Sequence, residues 1–135
     1  MTDNLPVVAP SKAQLWIGRI LSTIMVLFLA LDATMKYFMP KPVVDASIHL
    51  GLPLPLTHNL AYILFGCVLL YAIPQTSILG AILLVGYLGG AVSTHLRAGD
   101  PLFTHALFPV YFGIVIWLGL YLREPRLRAL VPFRS

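Results

Sequence analysis

Apolar residues fall along this chain in four long blocks divided by short polar breaks. The blocks run from about Leu15 to Phe38, Leu60 to Ile73, Ile78 to Leu96 and Ala106 to Leu122. A helix needs about 20 residues to cross the hydrocarbon of a bilayer, with about 17 as the lower edge. The first and third blocks qualify directly, and the fourth lies at the minimum. The second block qualifies if Thr57, His58 and Asn59 begin its helix. Lipid offers the backbone no partner, so each block must close its own hydrogen bonds. The pattern therefore predicts helices over about 15–38, 57–73, 78–96 and 105–122. Together they make an all-α membrane protein, a four-transmembrane-helix bundle in a single domain spanning 1–135.

The breaks differ in character. Pro74-Gln75-Thr76-Ser77 is a tight uncharged turn in which Pro74 stops one helix and Thr76 or Ser77 caps the next. The connection from Met39 to Thr57 is longer and carries Pro40, Pro42, Pro53 and Pro55. Within it VDASIHLGL predicts a short interfacial helix ended by Gly51. The first ten residues, with Pro6 and Pro10, read as a loose tail, and 123–135 as a basic one.

Composition agrees with a membrane class. Hydrophobic residues make up 59% of the chain, against about 45–50% in soluble domains. Charged residues are only 10% and the mean hydropathy is +0.87. Lys12 and Arg19 at the head of the first block raise the question of a secretory signal. That block is too long, however, and lacks a small-x-small cleavage site. Cys67 is the single cysteine, so no internal disulfide or CxxC redox pair forms.

An even helix count puts both termini on one side. Lys12, Arg19, Arg123, Arg126, Arg128 and Arg134 lie there, against Lys36, Lys41 and Arg97 opposite. The positive-inside rule then predicts cytoplasmic termini. The same asymmetry makes the C-terminal tail an anchor for anionic lipid. Nucleic acid is not a partner, because aromatic interleaving for base stacking is absent from that tail.

This topology collects the ionisable residues at the outer end. Asp32 and Lys36 end the first helix, His58 opens the second, His95 and Arg97 end the third, and Asp100 and His105 precede the fourth. Asp45 and His49 lie in the long connection. Asp32 and Lys36 are spaced i, i+4 with the acid first, the favoured order for a helical pair. Acids inside a membrane are rare and functional by default, so Asp32 is read as a proton-handling or ligand-orienting carboxylate. Asp32, Lys36, His95, Arg97 and His105 are expected to line one pocket, with Arg97 neutralising Asp32 or holding a ligand oxygen and His95 or His105 exchanging a proton with the ligand. His58 shares a face with Tyr62, and Tyr87 shares one with His95. Histidines at this level could hold Zn²⁺ or Cu²⁺, but no HxxxH spacing occurs on one helix, so no metal is assigned. A quinone or other apolar ligand fits the mixed polar–aromatic set better. The chain carries no covalent haem motif and no iron–sulfur motif.

The third block is rich in glycine. Gly86 and Gly90 form GxxxG, and Gly89 and Ser93 form a second small-xxx-small row that Arg97 continues. These rows are expected to be helix-packing faces.

The segment YAIPQTSILGAILLVGYLGGAVSTHLR (Tyr71–Arg97) resembles the bacterial DoxX-like family, as do GDPLFTH (Gly99–His105) and WLGLYLREPRLRAL (Trp117–Leu130). Gly89, Gly90, His95 and Arg97 match the family pattern. The resemblance implies a four-helix protein of the bacterial inner membrane, related to small subunits tied to quinone-linked respiratory sulfur oxidation. It carries over no catalytic residue. Two function classes follow. One is a redox-associated, quinone-linked membrane subunit. The other is a non-catalytic accessory or anchor subunit packed against other membrane subunits or a second copy. A small-molecule transporter stands behind both.

Overall fold

The chain enters its first helix through a reciprocal cap. The Ser11 hydroxyl accepts from the Gln14 amide, and the Gln14 side chain accepts from the Ser11 N–H. From there α1 (Lys12–Phe38) runs unbroken to Met39, whose φ of 54° ends it. The computed structural model describes residues 11–130. The helices that follow are α2 (Lys41–His49), α3 (Leu54–Ala72), α4 (Ser77–Arg97), α5 (Phe108–Arg123) and α6 (Pro125–Leu130). Among the described residues there is no strand. The first ten residues, expected as a loose tail, and the last five of the basic tail lie outside the described residues.

The expected short helix in the long connection is α2, and Gly51 follows it with φ 72°. Pro53 sits at the N-cap of α3, so that helix begins at Leu54 rather than Thr57. The Thr76–Ser77 cap is a correction. Their hydroxyls do not accept from α4. Thr76 Oγ1 donates to the Leu70 carbonyl at 2.7 Å and Ser77 Oγ to that of Tyr71 at 2.8 Å. They thus satisfy the orphan carbonyls at the end of α3. Before α5 the chain makes a wide π-helical turn over Leu102–Ala106, where the Ala106 and Leu107 amides reach back to Pro101 and Leu102. The fourth span therefore reaches its regular helix only at Phe108.

Four stretches are long and apolar enough to cross a membrane: Lys12–Phe38, Leu54–Ala72, Pro74–Arg97 and Leu102–Arg123. Their exteriors are apolar as well. Along α1, Trp16, Ile20, Ile24, Leu27 and Leu31 are all exposed. Continuous apolar surface of this kind needs a lipid solvent.

The long helices form a ring in which α1 and α4 each pack on α3 and α5. Leu64, Leu84, Ile116 and Leu120 fill its centre. Glycines set the closest approaches, and all of them lie toward the end that carries the termini. A Cβ on Gly18 would stand 2.7 Å from the Gly119 carbonyl, and one on Gly119 would stand 2.8 Å from Ser22 Oγ. A Cβ on Gly80 would overlap the Tyr71 backbone. The glycines expected to pack do not do so within the chain. At Gly86, Gly89 and Gly90 nothing lies within 4 Å of an added Cβ, and Ser93 is exposed. The reason is geometric: α3 and α4 are pinned together at Gly80, whereas these residues sit one to three turns farther along, where neighbouring helices have diverged.

Candidate functional site

The divergence leaves a cleft of about 790 Å³ in the half of the bundle away from the termini. All four long helices line it. Its depth is apolar, with Leu29, Leu60, Cys67, Leu88 and Phe112 among the walls. Its polar groups are Asp32 and Lys36 from α1 and Tyr87, Thr94 and His95 from α4. Lys36 pairs with Asp32 one turn away, as the i, i+4 spacing predicts. Thr94 is committed to its own helix, donating to the Gly90 carbonyl at 2.8 Å. Tyr87 lines the cleft, and its hydroxyl makes no hydrogen bond among the described residues. Phe28, Phe108 and Phe112 form an aromatic edge, with ring centroids 4.9 Å apart for Phe28 and Phe112 and 4.6 Å for Phe108 and Phe112.

A second cluster stands over the cleft. Asp100 holds a histidine on each oxygen: His49 Nε2 lies 2.6 Å from Oδ1 and His95 Nδ1 lies 2.6 Å from Oδ2. The carboxylate is nearly covered, at 8% side-chain exposure, while His49 is 60% exposed. With Nδ1 engaged by Asp100, His95 keeps Nε2 for the cleft. Arg97 donates from Nη2 to the Leu50 carbonyl at 3.0 Å. Both contacts tie the α2–α3 connection to the end of α4.

The expected single pocket is therefore only partly assembled. The structure brings Asp32, Lys36, Tyr87 and His95 together and leaves four other candidates outside. Arg97 is exposed and bonds Leu50, so Lys36 and not Arg97 is the partner of Asp32. His105 lies on the π-helical turn, exposed, with Nδ1 2.9 Å from Thr104 Oγ1 and its ring 6.4 Å from that of His95. His58 and Tyr62 face the outside of the α1–α3 pair, where both meet the Tyr37 ring edge-on at 5.8 Å. Tyr62 and Tyr37 line an apolar groove there, separate from the cleft. Among the described residues no group of three or more His, Cys, Asp or Glu side chains is placed to hold a metal ion.

The family profile that matches the chain is that of the DoxX-like family, over residues 20–119. The chain belongs to the DoxX-like family. No curated protein and no solved structure matches it. The matched region of this DoxX-like chain takes in every residue of the cleft and the Asp100 cluster.

Two features of the DoxX-like chain escape a reading by residue type. His49 and Asp100 were visible as residues of the same end, but their pairing depends on how α2 lies across the bundle. At the termini end, Tyr71 is buried and donates to the Ile116 carbonyl at 2.8 Å, with Ser22 Oγ at 3.0 Å. Arg123 donates to Ser22 Oγ at 3.1 Å and lies 5.5 Å from the Tyr71 ring centre. The only sequence signal of this knot is a tyrosine in an apolar block and an arginine just past the end of the last one.

The hydrogen bonds from His49 and then His95 hold the Asp100 carboxyl below its ordinary value of 3.8. A carboxyl lowered by folding stabilises the fold above its unfolded pKa, and that contribution is lost as pH falls through the folded one. Asp100→Asn should accordingly melt below the parent in detergent at pH 5 and above, and the gap should close only below about pH 3.9. Equal melting at neutral pH would show that the cluster adds nothing to stability.

Proposed function

We propose that this protein is a membrane subunit that holds a lipid-soluble redox carrier of the quinone class in the cleft, without independent catalysis. The observation that carries the reading is a deep apolar cavity whose few polar groups converge at one end. Such a site suits a ring with polar oxygens and an apolar tail. A quinone supplies two-electron, two-proton carrier chemistry when bound. The Tyr87 hydroxyl, unpartnered among the described residues, would donate to a ring oxygen. His95, oriented by Asp100, would exchange a proton at Nε2. Lys36 would stay paired with Asp32 beside them. Electrons would reach the site from a partner membrane subunit. The reading places the chain in a bacterial inner membrane with both termini cytoplasmic.

Labelling with a photoreactive benzoquinone in nanodiscs tests the site. Saturable labelling should map to α4 near Tyr87 and His95 and be displaced by unlabelled quinone. Tyr87→Phe together with His95→Ala should weaken it by at least about tenfold, the value of one to two lost hydrogen bonds. Unsaturable labelling, or labelling indifferent to both substitutions, rejects the quinone reading. The orientation is checked separately. Reporter fusions after Ser135 and near Asp45 should report opposite sides, and the same side for both would remove the basis for the asymmetry argument.

The second reading, an accessory subunit docked through a helix face, draws on the outside of the α4–α5 pair. There Gly89 and Gly113 open an apolar groove of about 380 Å³ beside Trp117. Loss of a co-purifying membrane partner on Gly89→Leu, with quinone labelling intact, would favour that reading.

A further inference from the structure

The cleft has two boundaries that differ in kind. Toward the loops it is covered by Leu50 and Leu52, which line it from the α2–α3 connection. That connection is fastened rather than merely laid across. His49 is bonded to Asp100 and the Leu50 carbonyl accepts from Arg97, so the residue before the strap and the strap's first residue are both tied to the α4 end. Behind the strap, the buried Ser47 and Thr57 hydroxyls lie 3.0 Å apart and close the base of the connection. Gly51, between the two leucines, takes φ 72°, a turn that an L side chain resists. Its position also faces the Arg97 guanidinium, 3.8 Å from where a Cβ would stand.

On its flank the cleft has no such cover. Ile63 of α3 and Ile82 and Leu83 of α4 line it and are 54%, 53% and 42% exposed, so the wall they form is also an outer surface. Gly86 and Gly90 continue that wall with no side chain, and nothing lies within 4 Å of where a Cβ would stand. The gap between α3 and α4 therefore opens sideways at the depth of the spans, where the surroundings are hydrocarbon.

We infer that the α2–α3 connection is a latched strap shutting the cleft against water, and that ligand enters from the bilayer through the α3–α4 mouth beside Gly86 and Gly90. This rests on the reading of the cleft as a ligand site and narrows it to molecules dissolved in the membrane. A water-soluble carrier is excluded by the strap. The glycines are then threshold residues, kept small by passage rather than by helix contact. Asp100 acts as a positioning residue for both boundaries, since the same carboxylate orients His95 within and His49 above.

Cys67 reports on both routes, because its thiol lines the cleft, is buried, and is the chain's single cysteine. In nanodiscs, a charged methanethiosulfonate reaches Cys67 only from water, and an N-alkyl maleimide reaches it from the bilayer. In the parent the maleimide should react and the charged reagent should be nearly silent. The double variant His49→Ala/Arg97→Gln should raise the charged reagent's rate at least about tenfold, as expected when latch hydrogen bonds that hold a local opening shut are removed. Leu52→Ala, which thins the strap and leaves the latch intact, should raise it too. Neither change should alter the maleimide rate. Gly86→Leu should slow the maleimide at least about tenfold by filling the mouth, with the charged reagent still silent. A charged-reagent rate unmoved by both strap variants overturns the strap. A maleimide rate unmoved by Gly86→Leu, or no maleimide reaction in the parent, overturns lateral entry. An added benzoquinone with all four ring positions substituted, which leaves no free position for thiol addition, should protect Cys67 from the maleimide. If it fails to protect while the strap and mouth results hold, the quinone reading falls and the access route stands.

Discussion

Gly80→Leu should abolish the folded bundle, whereas Gly86→Leu and Gly90→Leu should leave it standing. All three lie on α4, and by sequence the GxxxG pair is the more conspicuous. The difference is what each Cβ would meet. At Gly80 it is the backbone of Tyr71, across the hairpin from α3. A side chain can rotate away from an intruder, but a helix backbone must move as a body. The cost should therefore exceed the about 1–3 kcal/mol typical of overpacking. Gly119→Leu belongs with Gly80, since its Cβ would press on Ser22 and the Gly18 carbonyl. At Gly86 and Gly90 there is no neighbour to displace, and leucine improves helix propensity by up to about 1 kcal/mol. Monodispersity and melting temperature in detergent give the readout. A folded Gly80→Leu protein would mean that α3 and α4 are not pinned at that turn. A collapsed Gly86→Leu protein would mean that this face is covered.

That contrast marks where the sequence stops being informative. Hydropathy and helix-stop residues locate α1, α3, α4 and α5, because the solvent is lipid and each span must satisfy its own backbone. The same logic finds α2 between Pro40 and Gly51. The i, i+4 rule finds the Asp32–Lys36 pair because both residues lie on one helix. Facing is a different matter. A glycine row allows close approach but does not say which helix, if any, takes it up. Shared depth put His58, Arg97 and His105 at the right end, yet rotation about each helix axis sends His58 to the outside and Arg97 to the strap. The His49–Asp100–His95 cluster joins residues 51 and 5 positions apart, and the longer link exists only once α2 is laid over the bundle.

Tyr71 is the second position where a single change should be felt throughout the fold. It is 1% exposed and touches three helices: Ile116 of α5 by hydrogen bond, Ser22 of α1 through the hydroxyls, and Gly80 of α4 by backbone contact. Tyr71→Ala should cost about 3–5 kcal/mol, the range for removing a buried aromatic. Tyr71→Phe isolates the hydroxyl. Interhelical hydrogen bonds in membranes average about 0.6 kcal/mol, and an orphaned buried group costs about 1–3 kcal/mol. Two partners are lost at once here, so about 1–2 kcal/mol is expected. Arg123→Met should cost a similar amount, because the methionine keeps the volume over the Tyr71 ring and loses the bond to Ser22 Oγ. The two changes share Ser22 and the ring face, so their effects should couple by at least about 0.5 kcal/mol in a double-mutant cycle. Melting of the four proteins in one detergent measures the cycle. Strict additivity would show that tyrosine and arginine stabilise the termini end independently, and that no knot joins α1, α3 and α5 there.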